Sequence, residues 1–367
     1  MKLQKLILNI ILGFFNIFVK MFKIKENQVA FISLESRHLD SDMKLIYDEL
    51  EKRKDVVLKK VVIEYDQQGI KQNFLYMLNC IKQLFVINTS HVVIIRDNNY
   101  VVSTFKREGV QVIQVWHACG AIKKFGNALP RKYPIKNYDY IIANSPYWKK
   151  PYSEAFAVKE ENVVVTGMPR VDCLFNQNYL KQSKEKLLRK YPQLVGKKII
   201  LYAPTFRGNI YKGFSMLPFD GIKFIESFDE NTYLLYKLHP LLKDISLPQH
   251  PRILDVCHED THELFTLSDA LISDYSSIVF DYALLNKPLY FYTPDLNDYL
   301  KDVGCYVGVK DLPIDVSLTM NELIEAIQVP YKGNIEAFKN KFFTYQDGKN
   351  TNRVVELILD LLKKPLY

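Results

Sequence analysis

Several short stretches of this sequence place phosphate-capable side chains directly after an apolar, strand-like run. Trp116-His117-Ala118-Cys119-Gly120-Ala121-Ile122-Lys123-Lys124 follows Val110–Val115, and Gly167-Met168-Pro169-Arg170 follows Asn162–Thr166. Ala203-Pro204-Thr205-Phe206-Arg207 follows Lys198–Tyr202, and Lys237-Leu238-His239-Pro240 ends the run Tyr233–Lys237. A further stretch, Ser268–Tyr282, reads as a strand (Ala270–Ser273), a polar turn through Ser277, and a helix that begins on serine.

Each of these has a chemical use. His117, with a glycine-bearing loop and two lysines behind it, suits a general base facing a phosphate. The Arg170 guanidinium is a planar fork of the kind that clamps phosphate oxygens. Pro204 fixes its turn and removes a donor, leaving the Thr205 hydroxyl and Arg207 for a ligand. Pro240 keeps His239 extended, and a protonated imidazole there offers a proton and a charge to a departing phosphate. Ser276 and Ser277 bring hydroxyls and unpaired backbone N–H groups to a helix start, where phosphate binds without a glycine loop. Each stretch also has a plainer reading: a serine N-cap, a histidine bonded to a nearby carbonyl, a surface arginine. All of them sit at the carboxyl ends of strands, where open α/β sheets bind ligands, and that favours a common site.

The sequence excludes several alternatives. It has no GxxxxGK[ST] loop, no GxGxxG and no DxD, so neither a P-loop, a dinucleotide fold nor a metal-bridged donor is indicated. Cys80, Cys119, Cys173, Cys257 and Cys305 are odd in number and widely spaced, which speaks against zinc and against a disulfide framework. No metal and no cofactor are expected. With 49 Lys and Arg against 41 Asp and Glu, the net charge of +8 favours an anionic partner. No aromatic–basic motif points to nucleic acid.

The elements that must carry these groups alternate. Strands are expected at Val29–Ser33, Val56–Ile63, His91–Arg96, Val110–Trp116, Tyr138–Ala143 and Asn162–Thr166, with helices at Ser41–Arg53 and Lys71–Phe85. A charged helix, Lys181–Arg189, precedes a second set of strands: Lys198–Tyr202, Tyr233–Lys237, Arg252–Asp255, Ala270–Ser273 and Leu289–Tyr292. Helices are expected between them at Phe219–Ser227 and Thr261–Leu267, and a final one at Arg353–Lys363. Apolar strands alternating with helices imply parallel sheets covered on both faces. The chain thus reads as α/β, with two Rossmann-like domains at 25–190 and 191–345 and a closing helical segment at 346–367.

Ahead of them, residues 1–24 form an amphipathic helix. On a wheel of about 100° per residue, Lys2, Lys5, Asn9, Gly13, Asn16, Lys20 and Lys23 fall within roughly 80°, with Gln4 the one polar exception elsewhere. The apolar run Leu6–Val19 is shorter than the ~20 residues a spanning helix needs. A helix lying on an anionic membrane surface fits it best.

Taken together, WHACGAIKKFG, GMPRVD, LYAPTFR, KLHP and SDALISDYSSIVFDYALLNKPLYFYTPDLNDY resemble, in this order from about residue 110 to 310, the CDP-glycerol glycerophosphotransferase family of wall teichoic acid synthesis. The resemblance implies a GT-B-like architecture, two Rossmann-type domains facing a cleft, with the last helix returning toward the first domain. It implies transfer of glycerol phosphate from CDP-glycerol with release of CMP. The form of the first motif is most like that of the members that prime the polymer on an undecaprenyl-diphosphate-linked disaccharide, N-acetylmannosaminyl-N-acetylglucosamine. By position it makes His117 and His239 the catalytic residues. Trp116, Gly120, Lys123, Arg170, Pro204, Thr205, Lys237, Ser276, Ser277 and Asp281 become the CDP-glycerol contacts. Lys237 stands where polymerase members have Arg, which keeps the charge and loses the bidentate fork. An enzyme with a bilayer-bound acceptor is expected peripherally on the cytoplasmic side of the cell membrane. A polymerase, a ribitol-phosphate or capsule transferase of the same family, and a nucleotide-sugar glycosyltransferase of the same fold are the nearest alternatives; a non-catalytic membrane-binding module is the remaining one.

Overall fold

Apolar runs without polar interruption form strands buried on both faces, and here they do so twice. The computed structural model describes residues 2–34, 36–64, 69–131, 133–209, 213–242 and 245–366. The chain starts with α1 (Lys2–Val19) and continues β1 (Lys25–Ser33), α2 (Ser41–Glu51), β2 (Val57–Val62), α3 (Ile70–Asn88), β3 (Ser90–Ile95), α4 (Tyr100–Phe105), β4 (Gln111–Gln114), β5 (Tyr140–Ala143), α5 (Lys149–Phe156) and β6 (Val163–Val165). These six strands form one all-parallel sheet in the order β2-β1-β3-β4-β5-β6. Val29–Ile32 and Val92–Ile95, at its centre, are fully buried, as strands covered by helices on both faces must be.

The second half runs α6 (Gln177–Lys190), β7 (Lys198–Tyr202), β8 (Phe206–Asn209), β9 (Gly213–Met216), α7 (Gly221–Glu226), β10 (Thr232–Tyr236), β11 (Ile253–Asp255), α8 (Thr261–Leu267), β12 (Ala270–Ser273), α9 (Ile278–Ala283), β13 (Leu289–Tyr292), α10 (Leu296–Asp302), β14 (Asp315–Ser317), α11 (Met320–Gln328), α12 (Ile335–Phe342) and α13 (Asn350–Leu362). Its sheet is again all parallel, in the order β11-β10-β7-β12-β13-β14. Numbered within that sheet, this is the 3-2-1-4-5-6 order of dinucleotide-type folds. Its topological switch point lies between β7 and β12. The β8–β9 hairpin, β14 and the helices α4, α5, α10, α11 and α12 were not expected from the sequence.

The chain divides into two compact units, and not at the expected 190/191 boundary. Unit 1 comprises 1–117, 125–172 and 347–367; unit 2 comprises 118–124 and 173–346. The change of unit falls at Asp172/Cys173 because α6 packs on α8, burying Leu187 and joining Lys186 to Glu263 at 2.7 Å. More unexpectedly, the segment Ala118–Lys124 leaves unit 1 directly after His117 and belongs to unit 2.

Within unit 1, α1 packs on α3 with Phe15 against Phe85, and Phe22, in the turn after α1, meets the same ring. The polar stripe of α1 does not face outward as a whole: Asn9 accepts from the Tyr100 hydroxyl, and Lys5 lies over the same ring. Met1 and the side chains of Lys2 and Gln4, two of the residues placed on the wheel, lie outside the described residues.

Unit 1 is closed by α13, which packs on α2 and β3. The Asp172 carboxylate takes the Asn350 and Thr351 N–H groups at 3.0 and 2.8 Å and the Thr351 hydroxyl at 2.7 Å. It therefore caps α13 from 178 residues away in sequence, meeting the free donors and the positive end of that helix. Gly167 has a φ of +77°, and a Cβ there would lie 2.1 Å from the Asn350 side chain. Asp172→Ala is expected to destabilise the protein by about 1.5–3 kcal/mol, the range for charge-assisted bonds, as read from the midpoint of urea unfolding. A loss below about 0.5 kcal/mol would mean that α13 is held by its apolar face alone.

Candidate active site

The switch point of unit 2 is formed by two turns. One, Ala203-Pro204-Thr205, follows β7; the other, Asp274-Tyr275-Ser276-Ser277, follows β12. The Thr205 N–H donates to the Asp274 carboxylate at 2.8 Å, and the Ser273 hydroxyl donates to the Ala203 carbonyl at 2.6 Å, so each turn fixes the other. Asp274 is buried, and that holds its carboxyl above the usual carboxylate range, offset only in part by Arg207 and the Thr205 N–H.

Arg207 is not free for a ligand, contrary to expectation. Its Nη1 lies 2.9 Å from Asp274, its Nε 2.7 Å from Asp295, and its guanidinium sits over the rings of Tyr275 and Tyr299. Those rings are themselves stacked, 3.7 Å apart at 10°. Burial works against the Arg207 charge, but the two carboxylates outweigh it and keep the residue firmly cationic. Losing one member of such a buried ion pair typically costs about 3–5 kcal/mol, so this arginine anchors the turns.

The groups left to meet a ligand are Lys123, His239, Thr205, Ser276 and Ser277. Lys123 arrives on the inserted segment, which is tied to the 304–307 stretch: Lys124 N–H to Gly304 O at 3.0 Å, Tyr306 N–H to Ile122 O at 2.8 Å, with a bridge between Lys123 and Cys305. Its ammonium lies 5.1 Å from the centre of the Phe206 ring, and that ring is 4.9 Å from the His239 ring. Burial lowers the Lys123 pKa; Asp274 partly restores it and Arg207 depresses it further. His239 is lowered by partial burial and by the Lys123 charge, so unit 2 itself favours the neutral imidazole. An anion between them would raise both. The Thr205 hydroxyl is buried without a hydrogen-bond partner of good geometry. Ser276 and Ser277 are half-buried, and Ser277 does not use its side chain to cap α9. Because α9 has six residues, the hydroxyls, not a helix terminus, are what this turn offers.

Other expected contacts are engaged elsewhere. Lys237 Nζ donates to the Cys257 and Glu259 carbonyls at 2.8 and 2.6 Å, where burial lowers its pKa. Asp281 is paired with His262 Nε2 at 3.0 Å, and Cys173 Sγ lies 3.9 Å from the other ring nitrogen. Gly120 is buried in the inserted segment.

In unit 1, β4 delivers His117 through a strained turn. Trp116 has a φ of +53°, a left-handed conformation for a bulky residue, which costs of order 1–3 kcal/mol. The Gln114 side chain accepts the Trp116 N–H at 2.8 Å, and the indole stacks on Phe125 at 4.6 Å. His117 lies against the indole, 3.7 Å between ring centres. Arg170 donates to the His117 carbonyl and pairs with Asp42, a residue that no sequence pattern singled out.

A family described as CDP-glycerol:poly(glycerophosphate) glycerophosphotransferase matches residues 13–360. The chain belongs to that family. This glycerophosphotransferase is 30% identical over 362 residues to the teichoic acid ribitol-phosphate primase of Bacillus spizizenii strain W23, covering 92% of each chain. It is 29% identical over 396 residues to the teichoic acid glycerol-phosphate primase of Bacillus subtilis strain 168, covering 99% of this chain and 100% of that one. The solved structure of the wall teichoic acid polymerase TagF superposes with a TM-score of 0.71 at 23% identity, over 98% of this chain and 97% of that one. This last likeness is one of fold.

His262 gives the glycerophosphotransferase a pH signature. Burial would lower its pKa, but the Asp281 bond and Cys173 outweigh that and raise it from 6.5 to about 10. A pKa raised on folding contributes stability fully present below the unfolded value and lost as pH rises through the folded one. The difference in unfolding free energy between wild type and His262→Gln is therefore expected to be largest near pH 6 and to shrink steadily toward pH 10. Urea titrations at pH 6, 8 and 10 check this; a pH-independent difference would show that the pair is not ionic.

Proposed function

We propose that this chain transfers glycerol phosphate from CDP-glycerol to a hydroxyl of an undecaprenyl-diphosphate-linked disaccharide, releasing CMP and priming wall teichoic acid synthesis. The observation that carries the reading is the switch point of unit 2, where the desolvated Lys123 and His239 both lie against the Phe206 ring, the turns after β7 and β12 present the hydroxyls of Thr205, Ser276 and Ser277, and Asp274 is taken up mainly by Arg207. Such a group of donors suits a diphosphate. Lys123, His239, Thr205, Ser276 and Ser277 hold the donor pyrophosphate, with Pro204 and Gly120 shaping the turns that present them. Lys237 and Asp281 act behind this layer, through the main chain of 257–259 and through His262. The acceptor oxygen forms a bond to the glycerol-bearing phosphorus as the bond from that phosphorus to CMP breaks, and the hydroxyl proton passes to His117, which rests on Trp116. Positioning and charge stabilisation supply most of the acceleration in such transfers.

The same site supports a second donor. Ribitol-phosphate and glycerol-phosphate primases are relatives of nearly equal similarity, so CDP-ribitol is the competing substrate. Incubating the lipid-linked disaccharide with either donor, and weighing the products, decides between them; one added unit marks a primase and a ladder a polymerase. His117→Ala is expected to lower the rate of CMP release about 10²–10⁴-fold, the usual worth of a general base. Lys123→Met is expected to raise the KM for the donor about 10–100-fold, from loss of a charge-assisted contact of about 1.5–3 kcal/mol. Near-normal turnover of His117→Ala would overturn the base assignment. An unchanged KM in Lys123→Met would overturn the donor site.

The reading includes a place at the cytoplasmic side of the cell membrane, where the acceptor lipid resides. On α1, Ile10, Phe14 and Ile17 keep 64, 57 and 65% of their surface open, and Phe74, Leu75 and Leu78 on α3 are exposed as well. Apolar patches of this kind mark interaction surfaces. Among the described residues no helix is long and apolar enough to cross a membrane. The helix thus lies on the bilayer with its apolar side down, and Lys20 and Lys23 at its end add about 1 kcal/mol each on an anionic leaflet. Phe14→Glu with Ile17→Glu is expected to abolish flotation with anionic liposomes while leaving the circular-dichroism melt unchanged. Flotation as strong as that of wild type would refute the surface.

A further inference from the structure

Arg170 is committed to the main chain beside His117. The guanidinium donates through Nη1 to the His117 carbonyl. The Asp42 carboxylate grips the same arginine twice: Oδ1 accepts the Arg170 N–H at 2.8 Å, and Oδ2 lies 3.7 Å from its Nε. Asp42 is completely buried and stands in the first turn of α2, where a negative charge is favoured by the free N–H groups of the helix. It is 128 residues from Arg170 in sequence. On the other side of His117 the chain is strained at Trp116 and held by Gln114 and Phe125. The histidine is therefore fixed from both directions, by an aromatic stack and a side-chain acceptor before it and by an ion-paired guanidinium on its own carbonyl.

We infer that Asp42 and Arg170 form a clamp that positions His117 for proton abstraction. The inference rests on the reading of His117 as the general base. A base must come within about 2.6–3.2 Å of the proton it takes, and a displacement of about 1 Å can lower a rate 10²-fold. A guanidinium bound only to carboxylate would be free to swing; one that also holds a carbonyl fixes a main-chain atom.

The test compares Arg170→Met, the double variant Asp42→Asn/Arg170→Met, and His117→Ala, alone and combined with the double variant. Substituting both partners avoids leaving a buried charge unpaired, which would unfold the protein for reasons unrelated to His117. With CDP-glycerol and the lipid-linked disaccharide, the double variant is expected to lose about 10²-fold in kcat. In the His117→Ala background the same pair is expected to cost no more than about twofold, because there is no base left to position. The His117 ring resonances of selectively labelled protein should broaden or shift in the double variant and stay in place in Lys123→Met. A donor KM raised tenfold or more in Arg170→Met with kcat preserved would overturn the clamp and assign Arg170 to the phosphate. A double variant that keeps kcat, or that loses as much without His117 as with it, would also overturn it. If instead His117→Ala alone keeps full turnover, it is the base assignment that fails, and the positioning role falls with it.

Discussion

Arg207, buried between Asp274 and Asp295 and covered by two stacked tyrosines, is the interaction on which the rest of unit 2 depends. It joins the turn after β7, the turn after β12 and the start of α10 into one rigid rim. Because Asp274 is taken up by this arginine and by the Thr205 N–H, the neighbouring Lys123 is left with a desolvated charge and only partial compensation. A cation in that condition is a poor resident of a folded protein and a good receptor for an anion. The same logic applies to His239, which burial and the Lys123 charge push toward the neutral form. The two cations thus differ in kind, Arg207 fully paired and Lys123 only partly compensated.

Strand positions were legible because parallel strands covered on both faces are written as uninterrupted apolar runs, and Lys198–Tyr202, Ala270–Ser273 and Leu289–Tyr292 fall where those runs do. The β8–β9 hairpin was not legible: Phe206–Asn209 contains an arginine and a glycine, and its partner begins on Gly213. The motif residues were visible as residue types, but their partners were not. Nothing local links Arg170 to Asp42, or Asp172 to Asn350; these pairs are created by tertiary closure. The same holds for Trp116–Lys124, which reads as one loop and is shared by two units with a break after His117. The unit boundary at Asp172 escaped for a similar reason, since α6 looks like a linker helix until its partner α8 is known.

The N-terminal helix shows how an amphipathic pattern can be legible while its contacts are not. Its narrow polar stripe is drawn partly onto the protein, where Asn9 and Lys5 meet Tyr100; of its wide apolar side, Leu12 and Val19 are buried while Ile10, Phe14 and Ile17 remain outside. Helical periodicity fixes which residues share a face but carries no information about which face a neighbouring helix will choose.

The interleaving of the two units also bears on how the chain is made. Unit 1 is completed by α13, whose cap Asp172 and whose packing partners α2 and β3 are synthesised long before it. Between them the ribosome must deliver residues 173–346, all of unit 2 except its short inserted segment, which takes roughly 10–35 s at ordinary elongation rates of about 5–20 residues per second. For that interval the nascent first unit carries an uncovered apolar groove, and unit 2 can mature before unit 1 is finished. Chaperone demand during translation should therefore centre on the surface that α13 later seals, and a ribosome stalled within unit 2 would expose it longest.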